Sequence, residues 1–244
     1  QPEETNPEVI KLNKAESHHL ISVNRAQKGD PVIAFNGSGI EWECLCQEAH
    51  RTTAILKVLA QRQIPRFPFS ITLAQALPKG KAMDIIIRKA TEIGAAHILP
   101  LQSDRTEVHL QKDRKSSKLE KWQTTAIEAA KQCGNPFLPE IHPIQSVSNL
   151  LISTGNAYDL KLIGSLYPEA TSLKKILSQH QSSHQKSPAN VIWMIGPEGD
   201  FSPDEMEQAI QAGFKPITMG PLVLRSETAA TYALSILSYE LLNS

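Results

Sequence analysis

The sequence has no uninterrupted apolar stretch near the 18 residues that a membrane-spanning helix requires, so no membrane partner is expected. Its opening, Gln1-Pro2-Glu3-Glu4, has neither a basic segment nor an apolar one of the export type, and a cytoplasmic protein is expected. Cysteine is scarce: three residues, an odd count. Cys44 and Cys46 alternate on a predicted strand and Cys133 falls on a predicted helix, which suits buried thiols in a reducing compartment rather than a disulfide framework. A single Cys-x-Cys with no second pair is a poor zinc site, and His18-His19 has no carboxylate or thiol at ligand spacing, so no metal is expected. Charge of either sign in excess is also missing. Twenty-five Lys and Arg balance 25 Asp and Glu, which argues against coating nucleic acid by bulk electrostatics. The balance is uneven along the chain. Residues 77–131 hold 11 basic against 7 acidic residues, and residues 132–244 hold 6 against 10. Neither a Walker sequence nor a Gly-x-Gly-x-x-Gly fingerprint occurs, so a nucleotide phosphate site of those types is excluded.

What is present divides in two. Residues 1–67 read as all-β. Val9–Leu12, Pro31–Phe35, Ile40–Cys46 and Thr52–Leu59 are strand-like, Asn36-Gly37 marks a hairpin, and Glu16–Val23 suits a short helix. The pattern predicts a small closed or half-closed barrel. Gln63–Pro68 carries two prolines and reads as a linker. From residue 68 to 244, strands alternate with helices, which predicts an α/β domain with a mostly parallel sheet. The strands are Ile71–Ala76, His97–Leu101, Asp159–Gly164, Val191–Ile195 and Lys215–Met219. Met83 to Ile93 is a helical stripe ended by Gly94, and Leu119 to Cys133 is a second helix. Ser172–Ser178 suits a short helix and Gln179–Pro188 a polar surface loop.

The carboxyl-terminal stretch is the most informative. Val191–Ile195 is broken by Gly196-Pro197-Glu198-Gly199, after which Ser202, Pro203 and Glu205 spell a capping box, with Phe201 and Met206 placed as a hydrophobic staple. Gly213 ends that helix, and Gly220-Pro221 follows the next strand. Arg225-Ser226-Glu227-Thr228 then opens a last helix whose stripe is Ala230, Ala233, Leu234, Leu237 and Leu241. These small residues suit close packing in the core or against a second subunit. Each Gly-Pro loop alone is equally well read as a tight turn. Two in a row at strand ends predict a pocket at the carboxyl edge of a parallel sheet, where backbone groups read a ligand. Glu198 and Asp200 would repel a pyrophosphate, so an uncharged or cationic nucleoside fits better. Ser226 is a plausible N-cap and Glu227 complements the helix dipole. Arg225 has no such role, because a cation is misplaced at a helix N-terminus unless it serves an anion or an electron-rich ligand.

The sequence Ile195-Gly-Pro-Glu-Gly-Asp-Phe-Ser, followed by Met219-Gly-Pro-Leu-Val-Leu-Arg-Ser-Glu-Thr-Ala, resembles the paired signature of the RsmE-type ribosomal RNA methyltransferases of the SPOUT superfamily. Weaker landmarks of the same kind are His18-His19-Leu20, Lys28-Gly29-Asp30, Pro78-Lys79-Gly80-Lys81, Lys89 to Gly94 and Glu128 to Gln132. The chain departs from the family's usual pattern at Asp200, commonly Gly, and at Leu222, commonly basic or polar. The resemblance implies a PUA-like barrel for RNA, an α/β domain with a deep trefoil knot and a homodimer. It also implies S-adenosylmethionine held by three loops, Ile163–Leu166, Ile195–Gly199 and Met219–Leu224, to which Ile163, Leu166, Ile195, Gly196, Pro197, Gly199, Met219, Gly220, Leu222 and Leu224 would contribute. The expected reaction is methylation of N3 of a uridine in 16S (small-subunit) ribosomal RNA, free or in the assembled 30S subunit. Arg225 would stabilise the developing anion and Glu198 or Glu227 would take the proton. Lys79, Lys81, Arg88 and Arg105, with Arg25 and Arg51 on the barrel, are candidate phosphate contacts. Two alternatives stay open: a SPOUT enzyme acting on tRNA or another rRNA position, and a catalytically silent RNA-binding protein of the same fold.

Overall fold

The computed structural model describes residues 7–106 and 112–243, and side chains from residue 116 onward in the second span. The chain divides into two compact units between Arg66 and Phe67. The first contains β1 (Val9–Lys11), α1 (Lys14–His18), a π-helical turn at His19–Val23, β2 (Pro31–Phe35), β3 (Ile40–Glu48) and β4 (Ile55–Gln63). The strands form an antiparallel sheet in the order β1-β4-β3-β2, with β1 and β2 at its two ends, so this is the half-open form of the two expected. Alternation along β3 sends Trp42, Cys44 and Cys46 into a core with Ile10, Leu20, Ala54 and Leu56. The hairpin follows from Asn36, whose side chain accepts from the backbone N–H of Ser38 (2.9 Å) and Ile40 (3.1 Å).

The bounds expected for the last strand of this unit need correction. The last strand starts at Ile55, not Thr52, and runs to Gln63, into residues expected to be linker. The exposed segment Gln61-Arg62-Gln63 has no strand-like pattern of its own, but the length of β3 supplies ladder partners as far as Ile40, opposite Gln63. The His18-His19 pair contributes to no group of three metal-ligating side chains among the described residues.

In the second unit, β5 (Ser70–Ala76), β6 (His97–Gln102), β7 (Glu140–Ile141), β8 (Gln145–Ser146), β9 (Leu160–Gly164), β10 (Asn190–Ile195) and β11 (Lys215–Ile217) alternate with α2 (Ala82–Ile93), α3 (Lys112–Cys133), α4 (Val147–Thr154), α5 (Leu173–His184), α6 (Pro203–Gln211) and α7 (Ser226–Leu242). All strand pairs are parallel, in the order β11-β9-β10-β5-β6-β7, with β8 also on β6. Helices cover both faces, which is why the central strands read as unbroken apolar runs. Val191, Trp193 and Ile195 of β10 face one core with α2, α3, α5 and α7; Ile192 and Met194 face another with α4 and α6. The stripe Ala230, Ala233, Leu234, Leu237 and Leu241 is buried in the first of these cores. Among the described residues no helix is long and apolar enough to cross a membrane.

The second unit also departs from expectation in places. Helix α5 continues to His184 through the polar residues expected to be a loop, because His180 turns into the protein and is buried while its polar neighbours face solvent. Strand β11 stops at Ile217, short of Met219. Cys133 is exposed, unlike the buried Cys44 and Cys46. Burial raises the Cys44 thiol to about 11, which keeps it an inert thiol.

Gly94 closes α2 in the left-handed conformation (φ 88°), and a Cβ there would lie 3.2 Å from Phe67 Cε2. Gly94→Ala is expected to destabilise the protein by about 1–2 kcal/mol through the left-handed backbone alone. Urea denaturation with unchanged m-value checks this, and a loss below ~0.3 kcal/mol would contradict it.

Candidate active site

The site is built at the carboxyl ends of β9, β10 and β11. After β10 the chain turns at Pro197–Asp200, where the N–H of Asp200 donates to Pro197 O (3.0 Å). Asp200 has φ 61°, and its Oδ1 accepts from Phe201 N–H at 2.8 Å. Helix α6 starts with the expected capping box: Ser202 Oγ accepts from Glu205 N–H (3.2 Å) and Glu205 Oε2 accepts from Ser202 N–H (2.9 Å). The other oxygen of the buried Glu205 accepts from Asp104 N–H at 3.0 Å, and Ser202 Oγ donates to Asp104 Oδ2 at 2.9 Å. Arg105 completes this clamp by donating from Nη1 to Gly199 O at 2.8 Å. The segment after β6 therefore holds the loop after β10.

A second set of bonds runs beneath the loop. Gln75, fully buried at the end of β5, donates from Nε2 to Ala76 O (2.8 Å) and to Ser226 Oγ (2.9 Å). Ser226 Oγ in turn donates to Gly196 O at 3.0 Å. This corrects the expected helix start. Arg225 is the N-cap of α7, without a side-chain capping bond, and Ser226 is the first helical residue because its hydroxyl is committed inward.

These supports shape an open cleft. Gly164, Ser165 and Leu166 line it from β9; Ile195, Gly196, Pro197, Glu198 and Asp200 from β10; Met219, Gly220, Leu222, Val223 and Leu224 from the loop after β11; and Ser226 and Ala229 from α7. Eight of the ten residues expected to hold a cofactor meet there. Ile163 does not, because strand alternation points it into the opposite core. Gly199 does not either: it faces Arg105, whose Cβ lies 3.5 Å from where a glycine Cβ would stand. Of the other seven lining residues, Gly164, Ser165, Glu198 and Val223 fall within the three expected loops, and Asp200, Ser226 and Ala229 lie outside them. Those three follow only from the tertiary path.

The remaining candidates are distributed more widely. Glu198 is exposed at the rim, and its Oε1 accepts from the backbone N–H of Lys79 at 3.1 Å, which brings the Lys79–Lys81 loop to the cleft's edge. Arg225 is exposed beside the lining residues Leu224 and Ser226, and Glu227 is half-buried in the first turn of α7. Lys81 precedes α2 and Arg88 lies on its exposed side. Arg25 and Arg51 are exposed on loops of the first unit. Burial pushes the Asp200 carboxyl above its ordinary value, against the opposing pull of Phe201 N–H and Arg105.

Residues 65–238 match the family model for an RNA methyltransferase domain, and residues 12–59 match that for an RNA methyltransferase PUA domain. The chain is 33% identical to ribosomal RNA small subunit methyltransferase E of Synechocystis, over 96% of this chain and 74% of that protein. To the enzyme of the same name from Bacillus subtilis it is 32% identical, over 92% and 88%. The chain belongs to the ribosomal RNA small subunit methyltransferase E family. A Legionella pneumophila methyltransferase solved with bound cofactor SAM superposes with a TM-score of 0.88 at 30% identity, covering 98% of this chain and 96% of that one. The Neisseria gonorrhoeae ribosomal RNA small subunit methyltransferase E, solved bound to S-adenosyl methionine, gives 0.84 at 26% identity, covering 97% and 94%. In this RNA methyltransferase every cleft residue falls inside the matched methyltransferase domain.

The raised carboxyl of Asp200 makes a pH-dependent prediction. The folded state holds this proton more tightly than the unfolded chain, so the group's contribution is fully present below the ordinary Asp value and is lost as pH rises through the folded one. Asp200→Asn, which tolerates positive φ, should therefore raise the melting temperature relative to wild type more at pH 7 than at pH 4. An equal difference at the two pH values would refute the link.

Proposed function

We propose that this chain transfers a methyl group from S-adenosylmethionine to N3 of a uridine in small-subunit ribosomal RNA. One observation carries the reading: a cleft made largely of backbone and small or apolar side chains, at the carboxyl ends of three neighbouring parallel strands, with carboxylates and no lysine lining it. A Cβ on Gly164 would lie 3.1 Å from Met219 Cε, and one on Gly196 3.0 Å from Asp200 Oδ1, so glycine at both positions lets the segments that line the cleft pack this closely. Glu198 and Asp200 complement a ligand bearing positive charge and disfavour a phosphate. The residues present thus fit a sulfonium nucleoside. Backbone groups of Gly164–Leu166, Gly196–Pro197 and Met219–Leu224 would hold it, and it supplies an electrophilic methyl group when bound.

The chain's own residues must make N3 nucleophilic. N3 carries an imino proton, and removing it leaves negative charge shared with the uracil carbonyl oxygens. Arg225 sits at the N-terminus of α7, where no side chain caps the helix, so guanidinium and helix dipole add at one place. Glu198 or Glu227 would accept the N3 proton. N3 lies on the Watson–Crick edge, so the uridine must be unpaired or turned out of its stack. Lys79 and Lys81 at the rim, with Arg88, would meet phosphates, while Arg25 and Arg51 would do so from residues 1–67. The same reading assigns chemistry to residues 68–244, passage of the carboxyl-terminal segment through a trefoil knot, a cytoplasmic homodimer, and 16S rRNA or the 30S subunit as partner. Mapping modified nucleotides by mass spectrometry in rRNA from a strain lacking the gene, before and after restoring it, tests the reaction. An unchanged methyl-uridine profile overturns it.

Arg225→Ala should lower methyl transfer by about 100-fold or more, as removal of a group facing transition-state charge does, with S-adenosylmethionine affinity by calorimetry changed only a few-fold. Near-normal turnover would refute the role. Reversing the charge of Lys79 and Lys81 together should reduce the slope of log affinity for rRNA against log salt by about 2, one for each phosphate that is no longer neutralised. An unchanged slope removes both lysines from the interface.

A further inference from the structure

At the opposite edge of the same sheet three metal-ligating side chains converge. His97 opens β6, Glu140 is its register partner on the parallel strand β7, and His142 follows two residues later. Register and alternation put all three side chains on one face. His97 Nδ1 lies 3.2 Å from His142 Nε2. The Glu140 carboxylate spans the pair, with Oε2 3.5 Å from His97 Nδ1 and Oε1 3.6 Å from His142 Nε2. Donor atoms bonded at about 2.0–2.1 Å to one tetrahedral ion lie about 3.3–3.4 Å from each other. The two nitrogens stand near that separation, and one donor atom from each of the three side chains lies within 4.8 Å of the other two, so a small turn of the exposed carboxylate brings them around a shared centre.

The backbone beneath them is already fixed. Glu140 N–H donates to Ala96 O and His142 N–H to Ile98 O, each at 2.9 Å, on either side of His97. The side chains are 39%, 66% and 32% exposed, so an ion can enter from solvent and water can complete its coordination. Two imidazoles and one carboxylate select the later first-row divalent ions over Mg2+ or Ca2+. We propose that His97, Glu140 and His142 bind one such ion, of the Zn2+ class, as a clip between β6 and β7. Strand β7 has two residues and, among the described residues, only β6 as a neighbour, so its attachment gains most from such a clip. The site stands at the amino ends of the strands, away from the cleft, and its role is structural.

Zn2+ titrated calorimetrically into the full-length, tag-free, metal-stripped protein should show one equivalent bound and a rise in melting temperature. Glu140→Gln, at an exposed position that leaves the fold undisturbed, should weaken binding at least tenfold. Loss of either histidine should weaken it by about 100-fold or more, exceeding the 10–100-fold cost typical of residues that only support ligands. Cys133→Ser should bind Zn2+ as the wild type does. Co2+ substituted for Zn2+ should show ligand-field absorption without a thiolate charge-transfer band. Failure of the wild type to take up one equivalent overturns the proposal, as does binding unchanged in Glu140→Gln and His142→Ala. A thiolate band that disappears in Cys133→Ser also overturns it.

Discussion

The cleft depends on one buried chain of hydrogen bonds, from Gln75 Nε2 to Ser226 Oγ and from Ser226 Oγ to Gly196 O. It joins three segments distant in sequence: the end of β5, the bend after β10 and the first residue of α7. All lie where water is largely excluded, so losing one partner leaves a buried polar group unsatisfied, at about 1–3 kcal/mol rather than the smaller net value of an exposed bond. The effect is positional as well as energetic. Gly196 O is held from below, so the upper side of the glycine peptide is turned to the cleft, and Ser226 is drawn inward at the cost of its capping role. The N-terminus of α7 is left without a side-chain cap for that reason.

The second support, through Asp104, Arg105, Ser202 and Glu205, acts on the outer side of the same bend. Glu205 serves two N–H groups with its two oxygens, its own N-cap and Asp104, so the capping box is also a tertiary contact. In the sequence Arg105 is legible only as a surface cation in a locally basic region; in the fold its guanidinium holds Gly199 O. A basic residue so engaged contributes its field to the rim while its geometry serves the loop. The opposing influences on Asp200, burial against Phe201 N–H and Arg105, arise from the same packing.

Elements with a strong local code are legible from sequence: the capping box at Ser202, the Gly94 terminus, the Asn36 hairpin, and the apolar runs of β5 and β10. Each depends on neighbours within a few residues. What escapes depends on distant partners. Strands β7 and β8 have two residues each, too short for any periodicity, and exist because β6 offers an edge. The polar end of α5 follows from one buried histidine. Of the cleft, the Gly-Pro bends and most of the lining are legible because glycine and proline announce a strand end. Ser226 has the local pattern of an N-cap, and only Gln75, 151 positions away, reveals its other use. His97, Glu140 and His142 carry no motif spacing, since the ligands are brought together by strand register rather than by one helix or loop.

The two helix N-termini at the cleft show how one sheet edge can present opposite signs of charge. At α6 Pro203 has no N–H, the Glu205 N–H is met by Ser202, and Glu205 and Asp104 add carboxylates, so that terminus has little positive potential left to offer. At α7 no side chain caps the helix and Arg225 adds a full positive charge. Between them the bend after β10 sets Glu198 and Asp200 into the cleft. A negative wall beside a positive corner disfavours a ligand of uniform charge. It favours a pair of reactants, one cationic and one becoming anionic as it reacts, and the transfer of a methyl group from a sulfonium to a deprotonated base nitrogen has that charge pattern.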